Sequence, residues 1–391
     1  MKVLMAHNYY RQPGGEDQVF AAESALLEAH GHRVIRYTVH NDEIEGMSPA
    51  ALARKTVWNG SVYRELRALI RRERPQVVHF HNTFPLISPA AYHAARAEGV
   101  PVVQTLHNYR LVCPGGMLFR DGRVCEECFG RLGSWAGAIT ACYRRNRAAS
   151  GVVAAMLTTH HILRTWRHKV DVYVALTEFS REKFIQGGLP AEKIIVKPNF
   201  VHPDPGVGDG RGEYFLFVGR LSPEKGIDIL LSAWELLGGR ARLKIVGDGV
   251  LAGQVTAACK RTHGIEWLGR QREEQVMSLM KGAQALVFPS LWYEGFPRVI
   301  AEAYACGLPV IASDLGSMSL LVDHDRTGLR FSPGDPESLS AQIERMMERS
   351  KKSSDMRRAA RIKFTSEYTA EQNYQTLMKI YNAAIGTMFE L

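Results

Sequence analysis

The stretch ALVFPSLWYEGFPRVIAEAYACGLPVIASD, residues 285–314, decides the fold class. Two short apolar runs, ALVFP and PVIAS, predict β-strands. Between them, PRVIAEAYAC predicts a helix that begins at Pro297 and stops at Gly307, because proline suits a helix start and glycine a helix end. The order strand, helix, strand indicates a parallel sheet, whose ligands bind at the carboxyl ends of the strands. Glu294 therefore falls in the loop at that edge, and Glu302 falls within the helix.

The same alternation runs through both halves of the chain. In the first half, KVLMAH, HRVIRYTV, QVVHFH and PVVQTLH predict strands separated by helices. The pattern restarts after a Pro/Gly-rich stretch at 199–213, with EYFLFVGR, GIDILLSAWELLGG and ARLKIVG. We therefore predict an α/β protein with two doubly wound, Rossmann-like domains facing across a cleft, at 1–200 and 201–366. A final helix within 367–391 could pack on either domain, including a return to the N-terminal one.

Composition and charge narrow the classes of function. The chain has 391 residues, 46% of them hydrophobic, which is enough for two α/β domains. No run approaches the roughly 18 apolar residues of a membrane span, and we expect no signal peptide. Residues 1–200 hold 26 Lys and Arg against 17 Asp and Glu, whereas the remainder holds 23 of each. The net charge of +9 thus belongs to the first half, which suggests an anionic partner: a lipid surface, a diphosphate-bearing acceptor or nucleic acid.

Two short motifs point to a bound diphosphate. The strand EYFLFVG runs into RLSPEKG, which places Arg220 and Lys225 at its carboxyl edge. Two cations beside a helix start suit a diphosphate and can neutralise the charge on a leaving group. In the first half, Gly14 and Gly15 allow the backbone to approach a ligand at the next helix start. A solvated turn is the alternative interpretation of each motif.

Taken together, these pieces resemble the family 4 retaining glycosyltransferases of the GT-B fold. The resemblance covers nearly the whole chain. It rests on an ordered set of motifs: PGGE at 13–16, VVHFHN at 77–82, TLHN at 105–108, VKPNF at 196–200, VGRLSPEKG at 218–226, KIVGDG at 244–249 and EGFPRVIAE at 294–302. The last motif holds the two glutamates of the family, with seven residues between them.

The resemblance implies a role for each acid that flanks the helix start. Glu294 would bind hydroxyls of the donor sugar, and Glu302 the ribose hydroxyls of the nucleotide. Arg220 and Lys225 would hold the diphosphate, with Gly15 closing from the first domain. His107 would reach the donor sugar or its leaving oxygen.

The other site residues follow from the same motifs. Those expected to act in catalysis are His107, Arg220, Lys225 and Glu294. The donor-binding loop would add Gly295, Phe296 and Pro297, and the acceptor side would include His81 and Asn82. His79 is interpreted as a hydrogen-bonded structural residue.

The implied reaction is a metal-independent, retaining transfer of a hexose. A donor of UDP- or GDP-type would give its sugar to a glycan or a polyprenyl-diphosphate-linked acceptor, in the biosynthesis of a bacterial lipopolysaccharide or exopolysaccharide. No cofactor is expected for catalysis. The rival hypotheses are a nucleotide-sugar epimerase on the same fold, and a nucleic-acid-binding protein that uses the basic first half; the latter lacks the expected aromatic motifs, so no nucleic-acid partner is predicted.

An insertion near 109–168 interrupts the α/β alternation and holds four cysteines. The Cys-x-x-Cys pair with single cysteines on either side has the spacing of a tetrathiolate zinc site: Cys113, Cys125, Cys128 and Cys142. Such a zinc ion would be structural. Reduced free thiols in a loop are the alternative.

The insertion continues into CYRRNRAASGVVAAMLTTHHILRTWRHK, where basic clusters alternate with an apolar helical stretch. Together with VYRELRALIRRERP near residue 62, it gives the first domain basic amphipathic faces. Such faces predict contact with an anionic membrane surface that carries a lipid-linked acceptor. We therefore expect a cytoplasmic protein that is peripheral on the inner face of the membrane; a merely solvated basic face is the alternative.

Overall fold

The computed structural model describes residues 1–12, 14–130, 134–348 and 350–386. Pro13 of the PGGE motif and residues 387–391 of the predicted C-terminal segment lie outside the described residues. The chain divides into two compact units. The first contains residues 1–118 and 126–198 together with the chain from Asn373 onward, and the second contains 119–125 and 199–372. The sequence-based boundary stood at 200/201, and the C-terminal helix groups largely with the first unit.

The first unit is built on a six-stranded parallel sheet of order β2-β1-β3-β4-β7-β8. Two further short strands, β5 and β6, form an antiparallel pair of their own and belong to the second unit. In chain order the strands are β1 Lys2–Tyr9, β2 Arg33–His40, β3 Val77–Asn82, β4 Val102–Thr105, β5 Phe119–Arg120, β6 Arg123–Val124, β7 Val172–Ala175 and β8 Ile194–Val196.

Helices connect the strands of this sheet and cover its faces. They are α1 Gly15–Ala29, α2 Pro49–Val57, α3 Gly60–Glu73, α4 Ala90–Ala97, α5 Trp135–Ile139, α6 Arg147–Ile162, α7 Thr165–His168 and α8 Glu178–Gln186. Strands β3, β4 and β7 are buried along their whole length, which explains their continuous apolar character and is typical of central parallel strands.

The second unit has its own six-stranded parallel sheet, of order β11-β10-β9-β12-β13-β14. Its strands are β9 Phe215–Val218, β10 Leu243–Val246, β11 Ile265–Trp267, β12 Leu286–Phe288, β13 Val310–Ser313 and β14 Gly328–Phe331. Its helices are α9 Ile227–Leu237, α10 Ala252–Arg261, α11 Glu273–Gly282, α12 Arg298–Ala305, α13 Ser317–Leu321, α14 Pro336–Glu348 and α15 Ser350–Glu367. The α/β class with two Rossmann-like sheets is thus confirmed.

The last helix, α16 Ala370–Gly386, returns to the sheet of the first unit. Its apolar face, with Leu377, Ile380 and Tyr381, is buried in one core with Val3 and Val103. Burying a large apolar side chain stabilises a fold by roughly 1.5–3 kcal/mol, so this face holds the helix there. In the described part of the chain, no helix is long and apolar enough to cross a membrane.

In each sheet the chain changes direction between two neighbouring strands: β1 and β3 in the first unit, β9 and β12 in the second. Ligands of doubly wound sheets bind at the carboxyl ends of such strands. The loops after β9 and β12 are bound together there. The amide of Leu291 donates to the carbonyl of Glu224 at 2.9 Å, and the Ser290 hydroxyl donates to the same carbonyl at 3.3 Å.

Gly226 allows the loops after β9 and β12 to approach each other closely. Its φ is +70°, in the left-handed region, and a Cβ at this position would lie 1.9 Å from the carbonyl oxygen of Pro289. Only glycine fits both the backbone angle and the close approach. The residue before α9 therefore lies in contact with the loop that follows β12.

We predict that Gly226→Ala lowers the free energy of unfolding of the second unit by about 3 kcal/mol or more, because the backbones of two loops must separate. The matched control is Gly269→Ala. Gly269 has a similar φ of +66° with no atom within 4 Å of a Cβ, so only the strain of about 1–2 kcal/mol applies. Urea unfolding of both variants measures the difference, and equal losses would contradict a close approach at Gly226.

Candidate active site

The loop after β9 presents two cations at the carboxyl edge of the second sheet. Arg220 is exposed and makes no ion pair with any described residue. Lys225 ends the single turn that precedes α9, and its side chain is 21% exposed. The Lys225 ammonium lies 5.5 Å from the ring centroids of both Phe288 and Trp292. One cation is thus free for a ligand, and the other is held between aromatic faces.

Glu294 lies in the loop after β12, and its carboxylate is anchored through one oxygen. Oε1 accepts from the Lys225 ammonium at 2.6 Å, from the Ser290 hydroxyl at 2.8 Å and from the Trp292 indole at 2.8 Å. The residue is buried, with 5% of its surface exposed. Oε2 makes no hydrogen bond to any described residue. Oε1 is therefore saturated, and Oε2 is the atom left to accept from a ligand.

Glu302 is the fifth residue of α12, one turn after Arg298. The Arg298 guanidinium is 3.2 Å from its Oε1, the i, i+4 pairing of a helix. Burial raises the pKa of Glu302; Arg298 opposes this, and Glu273 adds to it. The side chain is 15% exposed, so it keeps access to a ligand at the edge.

The segment between the two glutamates turns the chain into α12. The helix begins at Arg298, one residue later than predicted, and Pro297 is the residue before its first turn. Phe296 is buried against the ring of Tyr368, with centroids 5.4 Å apart. The carbonyl of Gly295 accepts from the Ser317 hydroxyl at 3.2 Å. These contacts fix the loop, so the structure brings Lys225 and Glu294 together and places Glu302 one helical turn further along.

In the first unit, α1 begins at the glycines of the PGGE motif. Asp17 lies in the first turn, where its Oδ2 accepts from the Gly14 amide at 2.7 Å and its Oδ1 contacts His7 Nε2 at 2.6 Å. Gly15 is exposed, and a Cβ on Gly14 or Gly15 would meet no atom within 4 Å. The space beside this helix start is therefore open. The predicted role of Gly15 stays a prediction.

The histidines of the first sheet lie deeper than the sequence suggested. His81 Nδ1 is 3.0 Å from His107 Nε2, and the His81 side chain has no exposed surface. Asn82 is also buried, and its amide bonds to the Asn8 carbonyl and the Phe84 amide. We expected His81 and Asn82 on the acceptor side; both are hydrogen-bonded within the unit, and the acceptor role stays a prediction.

His79 and His107 differ in their surroundings. Both ring nitrogens of His79 are hydrogen-bonded, to the Tyr381 and Thr105 hydroxyls at 2.8 Å each, and burial lowers its pKa to about 3. His79 thus has the bonding of a structural residue. His107 is partly exposed, and burial together with nearby His7 holds its pKa well below the usual value. His107 is accordingly a neutral imidazole at neutral pH.

Glu16 was not predicted as a site residue, although it follows Gly15 directly. Its Oε2 accepts from the Asn108 amide at 3.3 Å, and its Oε1 is buried without a hydrogen-bond partner. Burial raises the pKa of Glu16 to about 8, with the charge of Asp17 as the second cause. Ser290, Trp292 and Arg298 were missed as well, because their contacts with the glutamates depend on loop geometry; only the i, i+4 spacing of Arg298 gave a signal.

The four cysteines of the insertion are free thiols. In the described residues, one group of three potential metal ligands has its donor atoms within 4.8 Å of one another, and it is Glu23, His79 and His81. The cysteines form no such group: Cys113 and Cys128 are buried, whereas Cys125 and Cys142 are partly exposed. Four sulfurs that each lie 2.3 Å from one zinc ion would be less than 4.8 Å from one another. The thiols as placed do not fit a formed zinc site, and the tetrathiolate site stays a prediction.

Comparisons with known proteins agree with this geometry. The family model described as "Glycosyltransferase Family 4" matches residues 13–205, and the model described as "Glycosyl transferases group 1" matches residues 204–363. The two matches meet at residues 204–205, within a few residues of the boundary between the units, and together they cover residues 13–363. The chain belongs to the family 4, group 1 glycosyltransferases.

Individual relatives are similar over part of their length. The chain is 30% identical over 277 residues to a GDP-mannose-dependent alpha-mannosyltransferase of Mycobacterium tuberculosis, which covers 70% of this chain and 65% of that protein. It is 27% identical over 251 residues to the amylovoran biosynthesis glycosyltransferase AmsK of Erwinia amylovora, covering 58% of this chain and 61% of that one. The chain spans 35% to 61% of the first curated relatives that it matches.

Among solved structures, the crystal structure of Anabaena Alr3699/HepE in complex with UDP is similar with a TM-score of 0.70. The match covers 98% of this chain and 100% of that chain at 18% identity. This likeness supports the GT-B fold.

We predict that Glu16→Gln makes the protein more stable at alkaline pH. The folded-state pKa of about 8 lies above the ordinary value, so the folded form keeps a proton that the unfolded form releases. The contribution of Glu16 to stability is fully present below about pH 4.5 and is lost as the pH rises through about 8. Gln cannot ionise, so Glu16→Gln should exceed the wild type by about 1–3 kcal/mol near pH 9 and match it near pH 5.

Urea unfolding at the two pH values measures this difference. Glu28→Gln on the same helix is the control, because Arg36 lowers the pKa of Glu28, and its effect on stability has the opposite sign. A pH-independent difference between Glu16→Gln and the wild type would contradict a raised pKa at Glu16.

Proposed function

We propose that the protein is a retaining, metal-independent hexosyltransferase, which binds a nucleotide-diphosphate sugar on its second unit. The observation that carries the proposal is the assembly of Arg220, Lys225 and Glu294 at the carboxyl ends of β9 and β12, with Glu302 in the helix that follows. The two loops supply cations for a diphosphate and a carboxylate oxygen for sugar hydroxyls. The helix that follows supplies a second carboxylate for a ribose diol.

Each group has one task in this proposal. Arg220, which has no ion pair among the described residues, and Lys225 bind the diphosphate and stabilise the negative charge that develops on it as the glycosidic bond breaks. Lys225 reaches the diphosphate while Ser290 and Trp292 keep Glu294 in place. Glu294 Oε2 accepts from sugar hydroxyls, and Glu302 accepts from the ribose hydroxyls.

The stereochemical course follows from the same groups. The resemblance implies a route without a covalent nucleophile, and in this proposal Glu294 binds sugar hydroxyls while Glu302 pairs with Arg298. We therefore propose attack of the acceptor from the side of the leaving group on an oxocarbenium-like sugar. The diphosphate, held by Arg220 and Lys225, takes up the acceptor proton. The names of the relatives favour a sugar of the hexose type and an acceptor in surface-polysaccharide biosynthesis.

We predict that the two glutamates separate binding from turnover. Glu302→Ala should raise the dissociation constants of the nucleoside diphosphate and of its sugar alike, by about 10- to 100-fold, because both contain the ribose. Glu294→Gln should leave the affinity for the bare nucleoside diphosphate within about twofold of the wild type, and should lower turnover by about 100-fold.

Calorimetric titration and product formation measure the two effects. Glu266→Ala, an exposed glutamate of β11, is the matched control and should change neither. Variants of Glu294 and Glu302 that behave alike would contradict this division of roles.

We further propose that the insertion binds the anionic membrane surface that carries the acceptor. Its exposed apolar side chains are Trp135, Ile139, Ile162 and Leu163. Arginines stand beside them, exposed and without an ion pair to any described residue: Arg144, Arg145, Arg147, Arg164 and Arg167. By contrast, Arg67 and Arg71 on α3 are paired with Glu98 at their surface. Apolar side chains flanked by unpaired cations suit an interface of anionic lipids, which makes the insertion, rather than α3, the better candidate.

We predict that Arg164→Glu with Arg167→Glu reduces binding to vesicles that contain phosphatidylserine or another anionic lipid. Each Lys or Arg near such a surface contributes about 1 kcal/mol, so a double charge reversal should weaken binding by well over tenfold. The control is Arg211→Glu with Arg270→Glu, which makes the same change of charge on exposed side chains of the second unit. Cosedimentation measures the binding, and equal effects of the two pairs would contradict a local membrane site.

A structural zinc ion in the insertion is a separate proposal. Its support is the Cys-x-x-Cys spacing, together with Cys113 and Cys142, which both lie beside Gly115: a Cβ there would be 3.7 Å from Cys113 Sγ and 3.6 Å from Cys142 Cβ. Metal analysis of the untagged protein should give about one equivalent of zinc, and Cys125→Ser with Cys128→Ser should release it. Four titratable thiols with no bound zinc would overturn the proposal.

A further inference from the structure

The first unit contains a continuous chain of polar side chains beneath its ligand-facing edge. Lys197, whose side chain is only 1% exposed, donates its ammonium to Glu23 Oε1. Glu23 Oε2 is 3.4 Å from His81 Nε2, and His81 Nδ1 is 3.0 Å from His107 Nε2. The chain thus runs from a buried ion pair to the partly exposed imidazole of His107. Neither Glu23 nor His81 has any exposed side-chain surface.

This arrangement has the chemistry of a hydrogen-bonded network and not of a metal centre. Glu23, His79 and His81 lie close enough to hold an ion. However, both nitrogens of His79 are bonded to hydroxyls, and the ammonium of Lys197 already neutralises Glu23. A cation placed among them would face that ammonium at close range, which disfavours it.

Two buried atoms in this row of polar side chains have no hydrogen-bond partner outside the row. Glu23 Oε2 and His81 Nε2 lack a hydrogen bond in the described structure, and they lie 3.4 Å from each other. An unpaired buried polar atom costs roughly 1–3 kcal/mol, so the two atoms are each other's partner when the side chains adjust slightly. The carboxylate of an ion pair can only accept, so the proton of this bond resides on His81 Nε2.

The position of each further proton follows from that one. Burial, followed by the nearby imidazoles, keeps the pKa of His81 well below its usual value, so the ring is neutral. With its proton on Nε2, His81 presents a lone pair at Nδ1, and His107 Nε2 must donate to it. His107 is neutral too, so its Nδ1 carries a lone pair and makes no hydrogen bond to any described residue.

We propose that Glu23 and His81 are positioning residues that hold His107 as the Nε2–H tautomer, with an unprotonated Nδ1 turned to the ligand. Glu23 orients His81, and His81 in turn orients His107. In a simpler arrangement, a carboxylate orients the catalytic histidine directly. Because Lys197 is paired with Glu23, the direction of the hydrogen bonds cannot reverse without placing a proton on that carboxylate.

The consequence, which rests on the proposed function, concerns the atom that His107 contacts. An unprotonated Nδ1 accepts a hydrogen bond, so it suits a ligand hydroxyl. It cannot donate to the leaving diphosphate oxygen, which has no proton to give. Of the two roles that the resemblance left open for His107, the network favours the contact with a sugar hydroxyl.

The tautomer is tested without any assay of activity, by NMR of the full chain labelled with ¹⁵N-histidine. Long-range correlations between ring protons and nitrogens identify the tautomer, and His107→Gln assigns the signals. The wild type should show His107 as Nε2–H near neutral pH, with a proton that exchanges slowly with water. In His81→Phe this proton should exchange fast. His93→Phe, which removes an imidazole bonded to Thr165 elsewhere in the unit, should leave it unchanged. A protonated Nδ1 in the wild type, or a slow proton in His81→Phe, would overturn the proposal.

Turnover provides the second readout. His81→Phe should lower kcat about tenfold or more, while the affinity for the nucleoside diphosphate stays within about twofold. His81→Gln should restore most of the rate, because one amide can donate to Glu23 and accept from His107. Should His81→Phe fail to fold, His81→Gln with a retained slow proton supports the network, and a fast proton there overturns it. Absence of transfer by the wild type would count against the proposed function alone, since the NMR result is independent of it.

Discussion

The ion pair between Lys225 and Glu294 is the contact on which the candidate site depends. The two residues are separated by 69 positions in the chain, yet their charged atoms lie 2.6 Å apart. They meet because β9 and β12 are neighbours in the sheet and because Gly226 lets the two following loops touch. A cation and a carboxylate that satisfy each other before a ligand arrives need little rearrangement when it does. This saves the ordering cost that a flexible pair would incur on binding.

The same principle of one-sided anchoring appears in both units. Glu294 uses one carboxylate oxygen for the protein and leaves the other for a ligand. His107 uses one ring nitrogen for His81 and leaves the other. A group held in this manner is oriented by the fold and can still bind, which is the requirement for electrostatic stabilisation without reorganisation. Anchoring has a cost in each case, because the supporting groups are buried and polar, and each must find a partner.

The sequence predicted local features well and distant contacts poorly. Apolar runs predicted β1, β3, β4, β9, β10, β12 and β13, and the helix after Pro297 was placed to within one residue, because these elements depend on neighbouring residues. The short strands β11 and β14 gave little periodicity and were not predicted. The order of the strands, and hence which loops meet, does not follow from local pattern.

The site residues show the same difference between local features and contacts of distant residues. Arg220, Lys225 and Glu294 were predicted at the carboxyl edge of the sheet and Glu302 in the following helix, and they lie there; their roles come from the family resemblance and stay predictions. His81 lies 3.4 Å from Glu23, a residue of α1 that no motif indicated. Glu23 and Lys197 are 174 residues apart, and neither has a pattern that predicts the other. Such pairs depend on packing between elements, which sequence spacing does not encode.

The central claim is that the second unit binds a nucleotide-sugar donor, and thermal unfolding with a panel of nucleoside diphosphates and their sugars tests it most directly. A ligand at 100 times its dissociation constant adds roughly 2.7 kcal/mol to the free energy of unfolding. The account predicts a higher Tm with one nucleotide base, for the diphosphate and its sugar, and none with the matching nucleoside. An unchanged Tm across the whole panel, with and without vesicles carrying a polyprenyl diphosphate, would contradict it.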